Sequence, residues 1–475
     1  MDKRLEEFQL KCREYLDTFA LYELRPYGRK IGVEEPTKKQ KDDLIDEIIN
    51  VLIGAKQPVP QSNRGAPVKS NFFNPEIPKT IENIRLQVFG EENKTTDLSY
   101  DADLERMKAF KKEKPMELVF CSPTFLGQLV KADGMYWLVP LSCDINGEKI
   151  LIADEFVQSY GLRLGDAVDC FADRREKFLV ATNVKKINGV PVKEFKRIAF
   201  EDADACYPYE KLDLYAEKVE NPLVGKYFDW LLPIYRGQRG YVSSLPKSGK
   251  SRLLYAMAQN AQSCNPDVKT LVLLVGQPPE IISDYRKTFH KEDLLYTTYE
   301  NEPEWQVFTA DFFLNKAKRL AESGKDVVLF VDGLNELARA YNDTKESSGG
   351  KVLAGGLESK TVQYLKKYLG SARKLEKGGS LTIIGTLSYG TGSPADDVLY
   401  AEINAVSNLQ IRLNENLTQK RKYYAVDLLQ SFSNGVETDE KKQRIQSFVR
   451  QKYLPENGAE KLHETLLAIQ NFDEI

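Results

Sequence analysis

The sequence predicts a multidomain α/β protein. It has a small helical unit at the N-terminus, a small β-barrel in the middle and a C-terminal domain on a mostly parallel sheet. Three observations carry that prediction. At 475 residues the chain is too long for one compact core, and about two to four domains are expected. Short β-like runs separated by Gly and Asp turns fill residues 116–198, the pattern of a small barrel. Across 221–455 continuously apolar strands alternate with helical segments, which means a parallel sheet covered on both faces.

Residues 1–54 read as helical. Thr37 follows Pro36 and is a suitable N-cap, Leu44, Ile45, Ile48, Ile49 and Leu52 form an apolar stripe, and Gly54 is placed to end that helix. Arg25, Arg29, Lys30, Lys38, Lys39 and Lys41 make the stretch 22–41 basic. Such a cluster is either a nucleic-acid contact or an ordinary solvated helical face. Residues 55–115 form a linker and charged segment. Its first part, 55–80, holds five prolines and shows no helix or strand period. Lys56, Arg64, Lys69 and Lys79 outnumber the single acid Glu76 there, so weak backbone contact with RNA or DNA is one reading.

In the barrel region the strand candidates are Gln128-Leu-Val, Tyr136-Trp-Leu-Val, Lys149-Ile-Leu-Ile and Asp166-Ala-Val-Asp-Cys-Phe. Strand alternation puts Met135 and Trp137 on one face and Tyr136 on the other. Trp137 is then either a platform for a nucleic-acid base or half of a barrel core. Residues 199–220 connect the barrel to the next domain.

The domain 221–455 opens with a short strand, Tyr241-Val-Ser. The loop Ser244-Leu-Pro-Lys-Ser-Gly-Lys-Ser251 follows, then helical spacing over Arg252–Asn260. Backbone N–H groups of such a loop point at a β-phosphate, and the new helix adds its positive end. Lys250 is placed to reach the terminal phosphates and Ser251 to complete a Mg²⁺ shell. The bound run is Lys247, Ser248, Gly249, Lys250, Ser251 and Arg252, although Ser244 stands where the usual pattern has Gly. Lys325-Asp-Val-Val-Leu-Phe-Val-Asp332 is an apolar strand ending in a carboxylate, the expected partner of Mg²⁺ through water. Further strands are expected at Thr270–Val275 and Leu381–Ile384, with helices at Leu314–Glu322 and Ser359–Leu375. Residues 456–475 read as a turn at Asn457-Gly458 and a terminal helix.

The whole chain sets outer bounds. Lys+Arg 67 against Asp+Glu 70 leaves no global basic field, so any nucleic-acid surface is local. Six cysteines without a Cys-x-x-Cys pair argue against a metal cluster or disulfide framework and suit a cytoplasmic setting. Two histidines leave little room for a histidine-centred site. No apolar run of about 18 residues marks a membrane span.

Several longer blocks share one resemblance. Tyr235-Arg-Gly-Gln-Arg-Gly-Tyr-Val-Ser-Ser-Leu-Pro-Lys-Ser-Gly-Lys-Ser251, Val331-Asp-Gly-Leu-Asn-Glu-Leu-Ala-Arg-Ala-Tyr-Asn342, Gly349–Gly356, Gly378–Thr386 and Thr391–Tyr400 resemble, in order, the bacterial transcription termination factor Rho family. The likeness covers the C-terminal half closely and the N-terminal half more weakly. It implies a helix-extended-helix module, an OB-type, cold-shock-like barrel and a RecA-type P-loop domain. It also implies ATP with Mg, single-stranded RNA and a ring, either a homo-oligomer (a hexamer) or a hetero-oligomer. RNA polymerase or a competent Rho are further implied partners. By the same resemblance Lys247 is a phosphate-loop lysine, Tyr423 stacks on adenine (packing being its other reading), and Met135, Tyr136 and Trp137 lie on the RNA strand of the barrel. Lys351 belongs to a loop that meets RNA in the ring's hole.

The resemblance also locates departures. The catalytic carboxylate position, in Leu273-Leu-Val-Gly-Gln-Pro-Pro-Glu280, is Gln277. Gln can hold a water but cannot accept its proton. Glu280, two prolines later, belongs to the next helix start. The family's trans-acting arginines match Glu415 and Gln430, Pro394 replaces a pore-loop Lys, and Glu336 replaces an Arg. An arginine finger contributes about 10³–10⁵ in rate where present. Two readings follow. One is a Rho-like protein that binds ATP and RNA in a ring with weak or absent hydrolysis. The other is an active RNA-dependent ATPase and translocase that terminates transcription.

Overall fold

The computed structural model describes residues 3–53, 55–56, 76–89, 124–143, 148–175, 178–197, 199–436, 440–453 and 458–470. It divides into two compact units, Met1–Phe120 and Cys121–Ile475. Gly54, Arg64, Lys69, most of the proline-rich linker, residues 90–115 and Asn457 lie outside the described residues.

In the first unit, helices α1 (Lys3–Asp17), α2 (Leu21–Lys30), α3 (Lys41–Leu52) and α4 (Glu76–Phe89) share a core of Cys12, Leu16, Leu24, Leu44, Ile48 and Ile77. The α3 stripe is buried as its spacing requires, with Leu52 half-buried. Its N-cap is Gln40 rather than Thr37, because residues 36–39 form turns before the helix begins. Helix α4 starts inside the stretch expected to be linker. Its only proline, Pro78, stands in the first turn, where no intrahelical N–H is needed. Lys38 pairs with Glu35, Lys39 with Glu47 and Lys41 with Asp17, so these three members of the basic cluster are engaged within their own unit.

The second unit begins with a barrel. Strands β1 (Thr124–Ala132), β2 (Met135–Val139), β3 (Ile150–Ile152), β4 (Ala167–Arg175), β5 (Phe178–Ile187) and β6 (Val190–Pro191), with helix α5 (Asp154–Ser159), run in the order β3-β2-β1-β4-β5-β6. A β3–β5 pairing closes the sheet, giving a five-stranded OB-like barrel with Leu129, Leu138, Ile152, Val168 and Ile187 in its core.

Next come β7 (Ala205–Cys206), a short α6 (Pro222–Gly225) running into a π-helical turn at Lys226–Leu231, β8 (Arg239–Ser244) and α7 (Lys250–Cys264). They are followed by β9 (Val268–Leu274), α8 (Pro279–Thr288), β10 (Leu294–Tyr296), α9 (Pro303–Glu322) and β11 (Asp326–Asp332). The domain continues through α10 (Leu334–Asn342), α11 (Ser359–Gly370), β12 (Arg373–Leu375), β13 (Ser380–Ser388) and α12 (Pro394–Val406). It ends with β14 (Leu409–Leu413), α13 (Glu415–Gln419), β15 (Val426–Ser433), α14 (Glu440–Lys452) and α15 (Gly458–Ala468). The sheet order is β10-β9-β11-β13-β8-β14-β15, parallel from β10 to β14 and antiparallel at the β15 edge, with β12 and β7 joined antiparallel beside β13. Buried side chains lie on both faces of the central strands. The helix expected over Ser359–Leu375 stops at Gly370, and Arg373–Leu375 pairs antiparallel with β13 instead.

Two steps along β14, from Gln410 to Arg412, correspond to five along β15, from Phe432 back to Asp427. The extra residues form a bulge in the edge strand. The Asp427 carboxylate accepts from the N–H groups of Leu429 and Gln430, and the Ser431 hydroxyl donates to the Asp427 carbonyl.

The barrel is fastened along α9. Gln128 Nε2 donates to the Phe312 carbonyl at 2.7 Å. Arg197 bridges Asp166 of the barrel and Glu322 of α9, at 2.5 and 3.1 Å, with both carboxylates buried.

Candidate nucleotide site

The loop after β8 bends sharply to reach α7. Lys247 has φ +61° and Gly249 φ +93°, the left-handed conformation that suits glycine at the turn into the helix. Ser248 is buried, while Lys247 and Arg252 are exposed. Lys250 Nζ folds back on the loop, donating to Ser244 Oγ and the Leu245 carbonyl, both at 3.2 Å. Burial pushes the Lys250 ammonium down to about 8, and the Asp332 charge partly offsets this. An amine held so far from water is a ready partner for anionic oxygens.

Asp332 ends β11 directly beneath this helix start. Its Oδ1 accepts from Ser251 Oγ at 3.1 Å and Thr386 Oγ1 at 2.7 Å, whereas its Oδ2 is buried without a hydrogen-bond partner. Burial raises the Asp332 carboxyl, and the Thr386 and Ser251 hydroxyls with the Lys250 charge pull it back. A buried carboxylate oxygen with nothing to accept from fits a metal-bound water. Thr386, which also receives the Gly333 N–H, went unassigned in the sequence. Its signal was its place at the end of the apolar run that pairs with β11.

Gln277 lies in the loop after β9, on the same edge of the sheet, with its N–H bonded to the Thr297 carbonyl. It is 8% exposed, and its Nε2 donates to the Val275 carbonyl at 3.2 Å. Glu280 stands exposed in the first turn of α8. Glu336 lies beside Gln277: a Cβ on Gly276 would come within 3.4 Å of the Glu336 Cβ, and one on Gly333 within 3.3 Å of Gln277 Nε2. Glu336 pairs with Arg339, which also holds Asp396.

Across the loop, the Tyr423 ring packs over Gly249, where a Cβ would sit 3.2 Å from it. The Arg252 guanidinium stands 4.8 Å from the ring centroid. Glu415 and Gln430 are both exposed at the β14–β15 edge, Gln430 within the bulge. Arg412 is held by Tyr389, with Nε 3.1 Å from the hydroxyl. Pro394 opens α12, where its missing N–H is no loss. Lys351 lies in a separate exposed loop tied to Ser359 at the start of α11.

Met135 is exposed and Tyr136 half-buried under Lys131. Trp137, read as either a base platform or part of a core, is 6% exposed. Its face of the sheet turns toward α9, it shares a cluster with Phe312 and Phe313, and Lys149 covers the ring at 4.7 Å. A cavity of about 990 Å³ separates this face from Trp305 and Phe308 of α9.

Residues 225–433 match the family described as ATP synthase alpha/beta family, nucleotide-binding domain. The transcription termination factor Rho of Aquifex aeolicus is 32% identical over 345 residues, covering 69% of this chain and 78% of that protein. The chain belongs to the Rho family. The Rho of Pseudomonas aeruginosa is 33% identical over 310 residues, 64% of this chain and 72% of that one. Against the Rho of Micrococcus luteus the identity is 34% over 295 residues, 59% of this chain but 42% of that protein, so the chain spans less than half of that relative. The Rho-family assignment accounts for the RecA-type nucleotide-binding domain and the OB-like barrel together. Among the described residues no helix is long and apolar enough to cross a membrane.

Proposed function

We propose that this Rho-family chain binds ATP with Mg²⁺ and single-stranded RNA in a ring, and that its hydrolysis is weak or absent. The observation that carries the last point is Gln277. It follows β9, three residues beyond Leu274, which pairs with Asp332, at the position where attack of water on a γ-phosphate requires a carboxylate. A neutral amide, buried and already bonded to Val275, orients water without accepting its proton.

Binding rests on other features. Lys250 and the loop N–H groups suit the phosphates, and Ser251 with the unpartnered Asp332 Oδ2 suits a hydrated Mg²⁺. Tyr423 and Arg252 suit an adenine face. A ring brings a neighbour's Glu415 and Gln430 toward the phosphates, and neither supplies a cation. The RNA surface comprises Met135 and Tyr136 on the barrel, with Trp137 reached only from the cavity beside α9, and Lys351 in the ring's hole. The helical module adds an optional nucleic-acid contact.

A second reading, an active RNA-dependent ATPase that terminates transcription, is favoured by Glu336. Its Cβ and Cγ lie against Gly276, next to Gln277, though Arg339 holds its carboxylate. Steady-state ATP hydrolysis with and without poly-pyrimidine RNA separates the two. Turnover near background supports the regulator. RNA-stimulated turnover that Glu336→Gln abolishes supports the motor.

A further inference from the structure

The loop that carries Tyr423 is held from behind. Lys420 Nζ lies 2.5 Å from Glu460 Oε2, and Lys422 Nζ lies 2.7 Å from both Glu460 Oε1 and Glu464 Oε1. Glu460 and Glu464 are one turn apart on α15, so a single helical face grips both lysines. On the same helix His463 is buried against the π-helical turn. Its Nδ1 is 3.3 Å from the Tyr227 hydroxyl, and it hydrogen-bonds the backbone of Tyr424.

The helix is itself anchored. Leu462 and Leu466 enter the main core, and Lys226 Nζ donates to the carbonyls of Leu466 and Ile469 at 2.8 and 2.5 Å, closing the helix end. On the loop's other side the Tyr424 hydroxyl donates to Asn221 at 2.6 Å. Residues 420–425 are thus clamped between α15 and the start of α6; both Tyr423 and Tyr424 meet Arg252, and Tyr423 is the one that packs over Gly249.

We infer that α15 is a positioning element for the nucleotide base: Glu460 holds the 420–425 loop so that Tyr423 stands over the phosphate-loop turn. The inference rests on the reading of Tyr423 as an adenine contact. Glu460 touches no nucleotide itself. It acts by fixing where the aromatic face stands, so its loss raises the ordering cost of binding the base and leaves the phosphate contacts untouched.

The test compares two ligands on the full chain. ATP uses loop and ring, whereas inorganic tripolyphosphate uses the loop alone. Titration calorimetry with each is run on the unaltered protein, Glu460→Lys, Glu460→Gln and Lys250→Ala. The expected result is that Glu460→Lys weakens ATP about three- to tenfold and Glu460→Gln less, the scale of one or two partly exposed ion pairs. Tripolyphosphate affinity stays unchanged. Combining Lys420→Glu with Glu460→Lys should recover part of the ATP loss, which a variant that had merely unfolded α15 would not do. Equal loss for both ligands, or undiminished ATP binding by Glu460→Lys, overturns the inference. Undiminished ATP binding by Lys250→Ala is a different failure, because it removes the nucleotide site itself.

Discussion

Lys250 makes nucleotide affinity depend on pH in a way that can be calculated. In the free protein its ammonium is held at about 8 by burial, while a triphosphate needs it charged. Affinity therefore scales with the charged fraction, which is about nine-tenths at pH 7, half at pH 8 and one-tenth at pH 9. ATP binding should weaken about tenfold from pH 7 to pH 9, and at pH 8 each binding event should take up about half a proton. The stability of the free protein moves the opposite way. The folded pKa lies below the unfolded one, so the burial cost is fully present below about pH 8 and is relieved as pH rises toward the unfolded value. General alkaline damage would lower affinity and stability together. Calorimetry in two buffers of different ionisation enthalpy reads the proton uptake directly. Lys250→Arg, charged at every pH used, should flatten the profile between pH 7 and 9. A flat profile in the unaltered protein, with no proton uptake, would refute the reasoning. So would a profile that Lys250→Arg leaves sloping.

Three other outcomes are expected. Gln277→Glu supplies a base on one subunit and Gln430→Arg a cation on its neighbour; because both act on one transition state, the double variant should exceed the product of the singles in an ATPase assay, and only where the protein assembles. If neither raises turnover in a protein that binds ATP and forms rings, Gln430 is not the missing trans cation. Arg197→Met leaves the buried Asp166 carboxylate without its cation, while Glu322 keeps Arg319, and should cost about 3–5 kcal/mol in denaturant unfolding, with earlier proteolysis between barrel and motor; an unchanged midpoint would mean that water replaces the guanidinium without loss. Phe330→Ala opens a void in fully buried β11 and should cost about 3–5 kcal/mol, read as a lower denaturation midpoint.

Much of the nucleotide site is legible in sequence because its parts are local. Lys250 and Ser251 lie on one turn, and the β9, β11 and β13 strands declare themselves as apolar runs ending at the same edge. Contacts made across the fold are not legible in this way. Alternation correctly separates Met135 and Trp137 from Tyr136, but it says nothing of what covers a face, and here α9 and Lys149 cover Trp137. Helix α4 begins at Glu76 because Ile77 and Ile81 reach a core shared with α1 and α3, a tertiary gain that a proline-rich window conceals. Helix α11 ends at Gly370 because Lys374 pairs with Ser380 in the sheet. That partner is set by topology rather than by helical period. Thr386 and Ser244 bond to Asp332 and Lys250 through short hydroxyls, and a place at a strand end marks such a hydroxyl without naming its partner. The grip of Glu460 on Lys420 and Lys422 joins positions about 40 residues apart, as distant in sequence as they are close in space.

The bulge in β15 bears on what the protein avoids. An edge strand with an unbroken row of N–H and C=O groups is a template on which any other strand can grow, and edge-to-edge growth leads to aggregates. Here the row is broken midway. The Asp427 carboxylate takes the N–H groups of Leu429 and Gln430, and the Ser431 hydroxyl takes the Asp427 carbonyl, so the chain satisfies its own backbone at the place where a stranger would dock. The exposed Leu429 beside it would otherwise make a sticky ladder stickier. One carboxylate and one hydroxyl therefore deny a continuous edge to a large sheet with an apolar residue on its rim. Asp427→Ala is the change that would turn this rim into an aggregation front.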